Sequence, residues 1–246
     1  MKSYIIGIGG VKGSGKDTFA SMINYIVAKG ITSADYKDWS LNRLKYDIKY
    51  AERITHFADP LKDCLSIMFG IPRKYFDSRE HKDDMYWSIS GKRFIKEGDV
   101  RLGHTYIITI DLLKHFTLSE LIEQHSHLVV VIKLRTLMQY VGTEIGKNML
   151  HKLLWVMSTI SKAADIAEKH KICIIPDMRF SDEHAAVCGH SLYGQDIMIS
   201  RNLPNRDDHA SETMDFSCTV NIDNNGTMLK LFYKALNVVQ TMYNNG

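Results

Sequence analysis

Gly10-Val11-Lys12-Gly13-Ser14-Gly15-Lys16-Asp17-Thr18 follows directly on the apolar run Tyr4 to Ile8. It opens a segment, Lys16 to Lys29, in which Phe19, Met22, Ile23 and Ile26 recur at helical spacing. Strand, glycine loop, lysine and helix, in that order, are the parts of a phosphate-binding P-loop. Glycines let the backbone fold around a polyphosphate with its N–H groups turned inward, and the helix that follows presents the positive end of its dipole. Lys16 adds a mobile charge for the outer phosphates, and a hydroxyl one turn into the helix reaches phosphate or metal-bound water. The strict pattern wants Ser or Thr straight after the lysine, whereas here Asp17 stands there and Thr18 follows. A purely structural turn is the rival reading. Three glycines in register with Lys and Thr weigh against it.

The chain of 246 residues is long enough to bury a full core as one domain spanning 1–246. Apolar content of 45% and charged content of 24% are ordinary for a soluble globular protein. A formal charge of +3 is too mild for a nucleic-acid coat or a membrane-surface protein, although it does not oppose anionic substrates. Cys64, Cys173, Cys188 and Cys218 are scattered without a C-x-x-C pair. They read as free thiols in a reducing cytosol rather than as a zinc site or a disulfide framework. The N-terminal apolar segment is too short for a signal peptide, and nothing approaches the roughly 20 apolar residues that span a bilayer. The expectation is a soluble, cytoplasmic protein with neither membrane nor nucleic acid as partner.

Strands are expected at Ile5 to Ile8, Ile54 to Phe57, Ile172 to Ile175, Ile197 to Ser200 and Cys218 to Ile222. Helices are expected over Lys16 to Lys29, from Pro60 through Met68, over Leu118 to Gln124, Leu150 to His170 and Met228 to Tyr243, with a short one capped by Ser181. The long helix shows an apolar stripe of Leu150, Leu153, Leu154, Met157, Ile160, Ala164 and Ala167. Asp35 to Glu52 reads as surface helix or loop, and Val129 to Leu134 runs into Arg135 to Tyr140 as strand or helix. Strands alternating with helices imply a doubly wound parallel sheet with helices on both faces, in the α/β class. Residues 73–105 are the least core-like, with a hairpin around Ser90-Gly91-Lys92, and read as a lid or substrate arm or as idle surface elaboration.

Open parallel sheets bind ligands at the carboxyl ends of their strands. Besides the glycine loop, two segments turn polar there: Ala58-Asp59-Pro60-Leu61-Lys62 and Ile174-Ile175-Pro176-Asp177-Met178-Arg179. Asp177 and Arg179 read either as a loop salt bridge or as a ligand contact and a bidentate phosphate clamp. Gly142-Thr143-Glu144-Ile145-Gly146 lets backbone approach a ligand or pack helices. Trp155 lies beside the apolar stripe, where it is a boundary aromatic or a face for a nucleobase.

Taken together, Gly10 to Thr18, Arg135-Thr136-Leu137-Met138-Gln139-Tyr140-Val141-Gly142-Thr143, Trp155, Pro176-Asp177-Met178-Arg179 with Glu183, and Asp208-His209-Ala210-Ser211-Glu212 resemble the bacteriophage deoxynucleoside monophosphate kinases. The matching segments run in order from residue 5 to about 212 and are sparse over 73–128, where only Asp77-Ser78-Arg79-Glu80 corresponds. Asp17 after the lysine is usual in that family, and the loop spacing is that of kinases acting on small molecules. The resemblance implies a P-loop kinase fold carrying a polar lid or substrate insertion at about 73–128. It implies transfer of the γ-phosphoryl of ATP, with magnesium, to a 2′-deoxynucleoside 5′-monophosphate (dNMP). On that reading Lys12, Gly13, Ser14, Gly15, Lys16, Asp17 and Thr18 bind ATP, with Asp17 or Thr18 near the magnesium ion. Leu61, Lys62, Arg79, Arg135, Gly142, Thr143, Trp155, Asp177, Arg179 and Glu183 bind dNMP, and Lys16, Arg135 and Arg179 are catalytic. The family's dimeric state implies a homodimer, and its phage origin implies action in the host cytoplasm. Rival readings are another P-loop small-molecule kinase, such as one acting on dephospho-coenzyme A, and a non-catalytic nucleotide-binding protein.

Overall fold

The structure, a computed structural model, describes residues 2–101, 103–202 and 214–244. The resembling segment Asp208 to Glu212 lies outside the described residues. The chain divides into two compact units, the first formed by Met1–Phe57 with Val156–Gly246 and the second by Ala58–Trp155. In chain order, unit 1 begins with β1 (Tyr4–Gly9), α1 (Lys16–Lys29) and α2 (Tyr36–Lys49). Unit 2 follows with α3 (Asp59–Phe69), α4 (Arg79–Asp83), β2 (Met85–Ser88), β3 (Arg93–Lys96), β4 (Thr105–Ile108) and α5 (Ile110–Leu113). It continues through α6 (Leu118–Gln124), β5 (Val129–Lys133), α7 (Leu134–Gln139) and wide π-helical turns over Tyr140–Leu150. The chain then forms α8 (Leu154–His170), β6 (Ile172–Met178), α9 (Ser181–Cys188), β7 (Tyr193–Ser200), β8 (Val220–Asp223) and α10 (Met228–Asn244).

Unit 1 is built on a parallel four-stranded sheet in the order β6-β1-β7-β8. Successive side chains of β1 point to opposite faces. Ile6 and Ile8 join Phe19, Met22, Ile23 and Ile26 of α1 and Leu231, Phe232, Ala235 and Val239 of α10 in one core. A Cβ on Gly7 would instead meet Val187 of α9 at 3.2 Å, so α9 covers the other face. Helices therefore lie on both faces of this sheet. Burying each of the α1 aliphatics or its Phe contributes about 1.5–3 kcal/mol, which explains why a 14-residue helix of modest amphipathicity is fixed here.

Unit 2 has a mixed four-stranded sheet in the order β3-β2-β5-β4, with only the β4–β5 pair parallel. Its own core contains Leu61, Leu65, Phe76, Trp87, Ile108, Leu121, Ile132 and Leu137. Residues 73–105, the least core-like stretch of the sequence, thus hold a hairpin and core residues of their own. The charged run Arg79 to Asp84 had masked single anchors such as Phe76 and Trp87.

Other local expectations change as well. Val129–Lys133 is strand and Leu134–Gln139 helix with no residue between, so each half of the ambiguous run takes one form. Among the described residues, Ile54 to Phe57 makes a single bridge, Ile54 to Ile174, and the Phe57 N–H turns instead to the Asp177 carboxylate. The long helix starts at Leu154, not Leu150, since His151 is extended at φ −161° and ψ 133°. The apolar stripe shifts with it: Leu150 is 68% and Met157 59% exposed, whereas Val156, Thr159, Ile160, Ala163 and Ala167 are buried. Ser181 is the first helical residue of α9 rather than its cap, and the Glu183 carboxylate performs the capping. Among the described residues, no helix is long and apolar enough to cross a membrane.

Candidate functional site

The loop Gly10 to Gly15 leaves the carboxyl end of β1, an interior strand of the parallel sheet. It closes on itself through Ser14 N–H donating to the Val11 carbonyl at 3.1 Å. Gly13 and Gly15 have φ of +83° and +98°, a left-handed backbone that turns successive N–H groups to one side. Gly15 is also the N-cap of α1, so the loop runs into the first N–H groups of the helix, which the helix's own carbonyls do not reach. Lys16 sits in the first turn and is only 7% exposed, while Asp17 is exposed beside it. Ser14 Oγ is buried and has no hydrogen-bond partner among the described residues.

One residue that fixes this loop escaped the sequence reading. Asn224, just beyond β8, donates from Nδ2 to the Ser14 carbonyl at 2.7 Å, and its own N–H is held by the Ser200 carbonyl at 2.8 Å. The signal was present in Asp223-Asn224-Asn225-Gly226, a polar turn at the carboxyl end of a parallel strand. A polar cleft of about 320 Å³ opens there, lined by Asn224, Asn225, Thr227 and Lys230 among others.

β6 is the neighbour of β1, and Met178 pairs with Gly9 at the foot of the loop. Asp177 and Arg179 therefore flank the strand position beside it. The Asp177 carboxylate accepts the Phe57 N–H at 3.2 Å through either oxygen. Glu183 Oε2 accepts the N–H of Arg179 at 2.7 Å and of Phe180 at 3.2 Å. Glu183 thus fixes the backbone that carries the Arg179 guanidinium, a use of its carboxylate that the sequence did not disclose.

In unit 2 the structure brings Leu61, Gly142 and Trp155 together. A Cβ on Gly142 would meet Leu61 Cδ2 at 2.8 Å, and Trp155 Nε1 donates to the Gly142 carbonyl at 2.8 Å. Gly146 lies so close under the indole that a Cβ would come within 2.6 Å of Nε1. One indole face is thereby taken up by packing on the π-helical turns; Thr143 is exposed on those turns.

Arg135, Arg79 and Lys62 of unit 2 each meet a carboxylate. Arg135 is gripped by Asp83 through Nε and through Nη2, the latter at 2.9 Å, and Arg79 lies 3.9 Å from the same carboxylate. Lys62 pairs with Asp77 at 2.8 Å and Asp59 at 3.8 Å. The Arg135 bond holds the Asp83 carboxyl below its ordinary range. Lys82, absent from the sequence reading, has its pKa lowered by burial and then by the nearby charges of Lys62 and Arg135. The carboxylates of Asp83 and Asp77 act in the opposite sense on Lys82.

No family model matches the chain. It is 23% identical over 229 residues to the deoxynucleoside-5′-monophosphate kinase of Escherichia phage T5, an alignment that covers 86% of this chain and 84% of that protein.

Proposed function

We propose that this protein is a P-loop kinase that transfers the γ-phosphoryl group of ATP to a 2′-deoxynucleoside 5′-monophosphate, giving dNDP and ADP. The observation that carries the reading is the loop at the end of β1, with Gly13 and Gly15 left-handed and Lys16 at the head of α1. The likeness to a phage deoxynucleoside-5′-monophosphate kinase across most of both chains supports the choice of acceptor.

Phosphoryl transfer needs two anions held in line and the developing charge neutralised, with little covalent help from the protein. Lys12 to Thr18 would cradle the triphosphate, Lys16 bridging its outer phosphates, and the polar cleft beyond Asn224 would take the donor nucleoside. Asp17 and Thr18 offer the hard oxygen ligands that magnesium prefers, and would hold it. Bound there, magnesium would supply charge neutralisation on the donor phosphates. Asp177, Arg179 and Glu183, with Leu61, Lys62, Arg79, Arg135, Gly142, Thr143 and Trp155, would serve the acceptor. Within a single kinase domain over 1–246, the arm at about 73–128 would act as lid or substrate insertion. A homodimer acting in the host cytoplasm, without nucleic acid or membrane, completes the reading.

The test is direct. Purified protein is incubated with ATP and magnesium against each dNMP and NMP separately, and diphosphate products are measured. Formation of dNDP from at least one dNMP is expected; no product from any of them would remove the assignment.

Two variants probe the acceptor. Arg179→Ala should lower kcat/KM by more than about tenfold through loss of a charge-assisted phosphate contact, with Arg179→Lys recovering only part because it lacks the planar fork. An unchanged rate would return Arg179 to a structural role. Trp155→Ala should raise the dNMP Michaelis constant roughly tenfold through lost base stacking while leaving that for ATP alone. It should also lower stability, because it empties the space over Gly146. An effect confined to ATP would put the tryptophan on the wrong substrate.

A further inference from the structure

Asp196 and Cys218 are distant in sequence from each other and from the His184–Cys188 pair, without recognisable metal spacing, yet unit 1 brings His184, Asp196 and Cys218 together, with the Cys188 sulfur beside His184. His184 and Cys188 lie one turn apart on α9, Asp196 is in β7, and Cys218 lies just before β8. His184 Nε2 is 2.9 Å from Asp196 Oδ2 and 3.5 Å from the Cys188 sulfur. One ligating atom each from His184, Asp196 and Cys218 fall within 4.8 Å of one another. Asp196 and Cys218 are buried.

Both His184 contacts use the same ring nitrogen. A Cys-His-Asp relay needs the acid on one imidazole nitrogen and the thiol on the other, so the arrangement does not build a nucleophile. It builds a point of convergence. Tetrahedral zinc, with Zn–N near 2.0 Å and Zn–S near 2.3 Å, spaces its ligand atoms about 3.3–3.8 Å apart. The Nε2–Sγ separation of 3.5 Å already has that spacing.

The surroundings are those of a held ligand set. Asp196 Oδ2 accepts the Thr219 N–H at 2.9 Å, and Thr219 Oγ1 donates to Oδ1, which fixes the carboxylate plane. The His184 ring stacks on Phe216, centroids 4.8 Å apart and planes 18° apart, which fixes the imidazole. Two sulfurs, an imidazole nitrogen and a carboxylate oxygen favour zinc over magnesium or calcium.

We propose that His184, Cys188, Asp196 and Cys218 form a structural zinc site that pins α9 to β7 and to the chain entering β8. Binding releases the two thiol protons to solvent as two Zn–S bonds form, with no redox change. All four positions are filled by protein, so the ion has no open coordination for chemistry. The site is separate from the glycine loop and does not depend on the kinase reading.

The full-length protein, reduced with a phosphine and passed through a desalting column after incubation with zinc, should retain one zinc per chain. Cobalt in its place should show thiolate-to-metal charge transfer in the near ultraviolet and the strong visible bands of a tetrahedral centre. Cys188→Ser, at the exposed end of α9, should weaken zinc affinity at least about 10- to 100-fold in competition with a chromophoric chelator. His184→Gln provides a second variant should Cys188→Ser fail to fold. Lys16→Ala should keep its zinc. Failure of the reduced wild-type protein to retain zinc, retention indifferent to Cys188→Ser and His184→Gln, or cobalt spectra without thiolate bands would each overturn the site.

Discussion

Lys16→Ala is expected to lower ATP-dependent dNMP phosphorylation by about 10²–10³-fold, the loss typical when one preorganised donor to developing charge is removed. Lys16 is the first residue of α1, and its side chain is almost wholly withdrawn from water. A phosphate beside Lys16 in such a place would gain most from it, since the attraction between charges grows as water is excluded. The helix N–H groups and the left-handed Gly13 and Gly15 remain in the variant, so weak phosphate binding should persist. On the proposed function, what disappears is the charge that would follow the outer phosphates through transfer.

The fold should survive, because the apolar face of α1 begins at Phe19 and does not use Lys16. Thermal unfolding without nucleotide checks this directly. With ATP at about 100 times its dissociation constant, the wild type should gain roughly 2.7 kcal/mol, and Lys16→Ala much less at the same concentration. Near-normal turnover by a folded Lys16→Ala protein would discredit the donor site altogether.

The parts of this protein that were legible in the sequence are those whose signals are local. β1, the glycine loop and α1 were readable because strand, left-handed turn and amphipathic helix each leave their mark within a few residues. The bounds Lys16–Lys29 follow from the apolar spacing and from Gly30 at the end. Unit 2 was poorly legible because its strands are only 4 or 5 residues long and lie among charges, so no period had room to show. The start of α8 was misplaced for a related reason. Leu150 fits the helical stripe, but the π-helical turns before it and the extended His151 are set by packing of Gly146 on Trp155, which no single-residue preference encodes.

Site residues divided in the same way. The place of Arg179 just past a strand end could be read, since β6 ends at Met178. That Asp83 grips Arg135, that Glu183 holds the Arg179 backbone and that Asn224 holds Ser14 are contacts between residues remote in sequence or between a side chain and backbone. The scattered cysteines gave no metal spacing for the same reason: α9, β7 and the start of β8 meet only in the folded sheet.

Gly15→Ala is the sharpest test of the loop, because geometry and energy both oppose it. At φ +98° and ψ 14° an alanine is held in the left-handed region, at about 1–2 kcal/mol. Its Cβ would also stand 2.4 Å from Asn224 Nδ2. That amide is no flexible tip: it is buried and donates to the Ser14 carbonyl, with its backbone tied to Ser200. Pushing it aside leaves a buried carbonyl without its donor, a further loss of about 1–3 kcal/mol. The sum, roughly 2–5 kcal/mol, should appear in denaturant unfolding at unchanged m-value.

Activity should suffer at least as much, since a displacement near 1 Å in a positioning loop costs on the order of 10²-fold in rate. The double variant Gly15→Ala with Asn224→Ala separates the two causes. It removes the obstruction but keeps the left-handed strain, so it should be more stable than the sum of the single losses by about 1 kcal/mol or more. Turnover should stay low in the double variant, because the Ser14 carbonyl is then free to rotate and the loop N–H groups lose their aim. If Gly15→Ala is as stable as the wild type and turns over normally, the left-handed loop clamped by Asn224 is not the device that holds the phosphates.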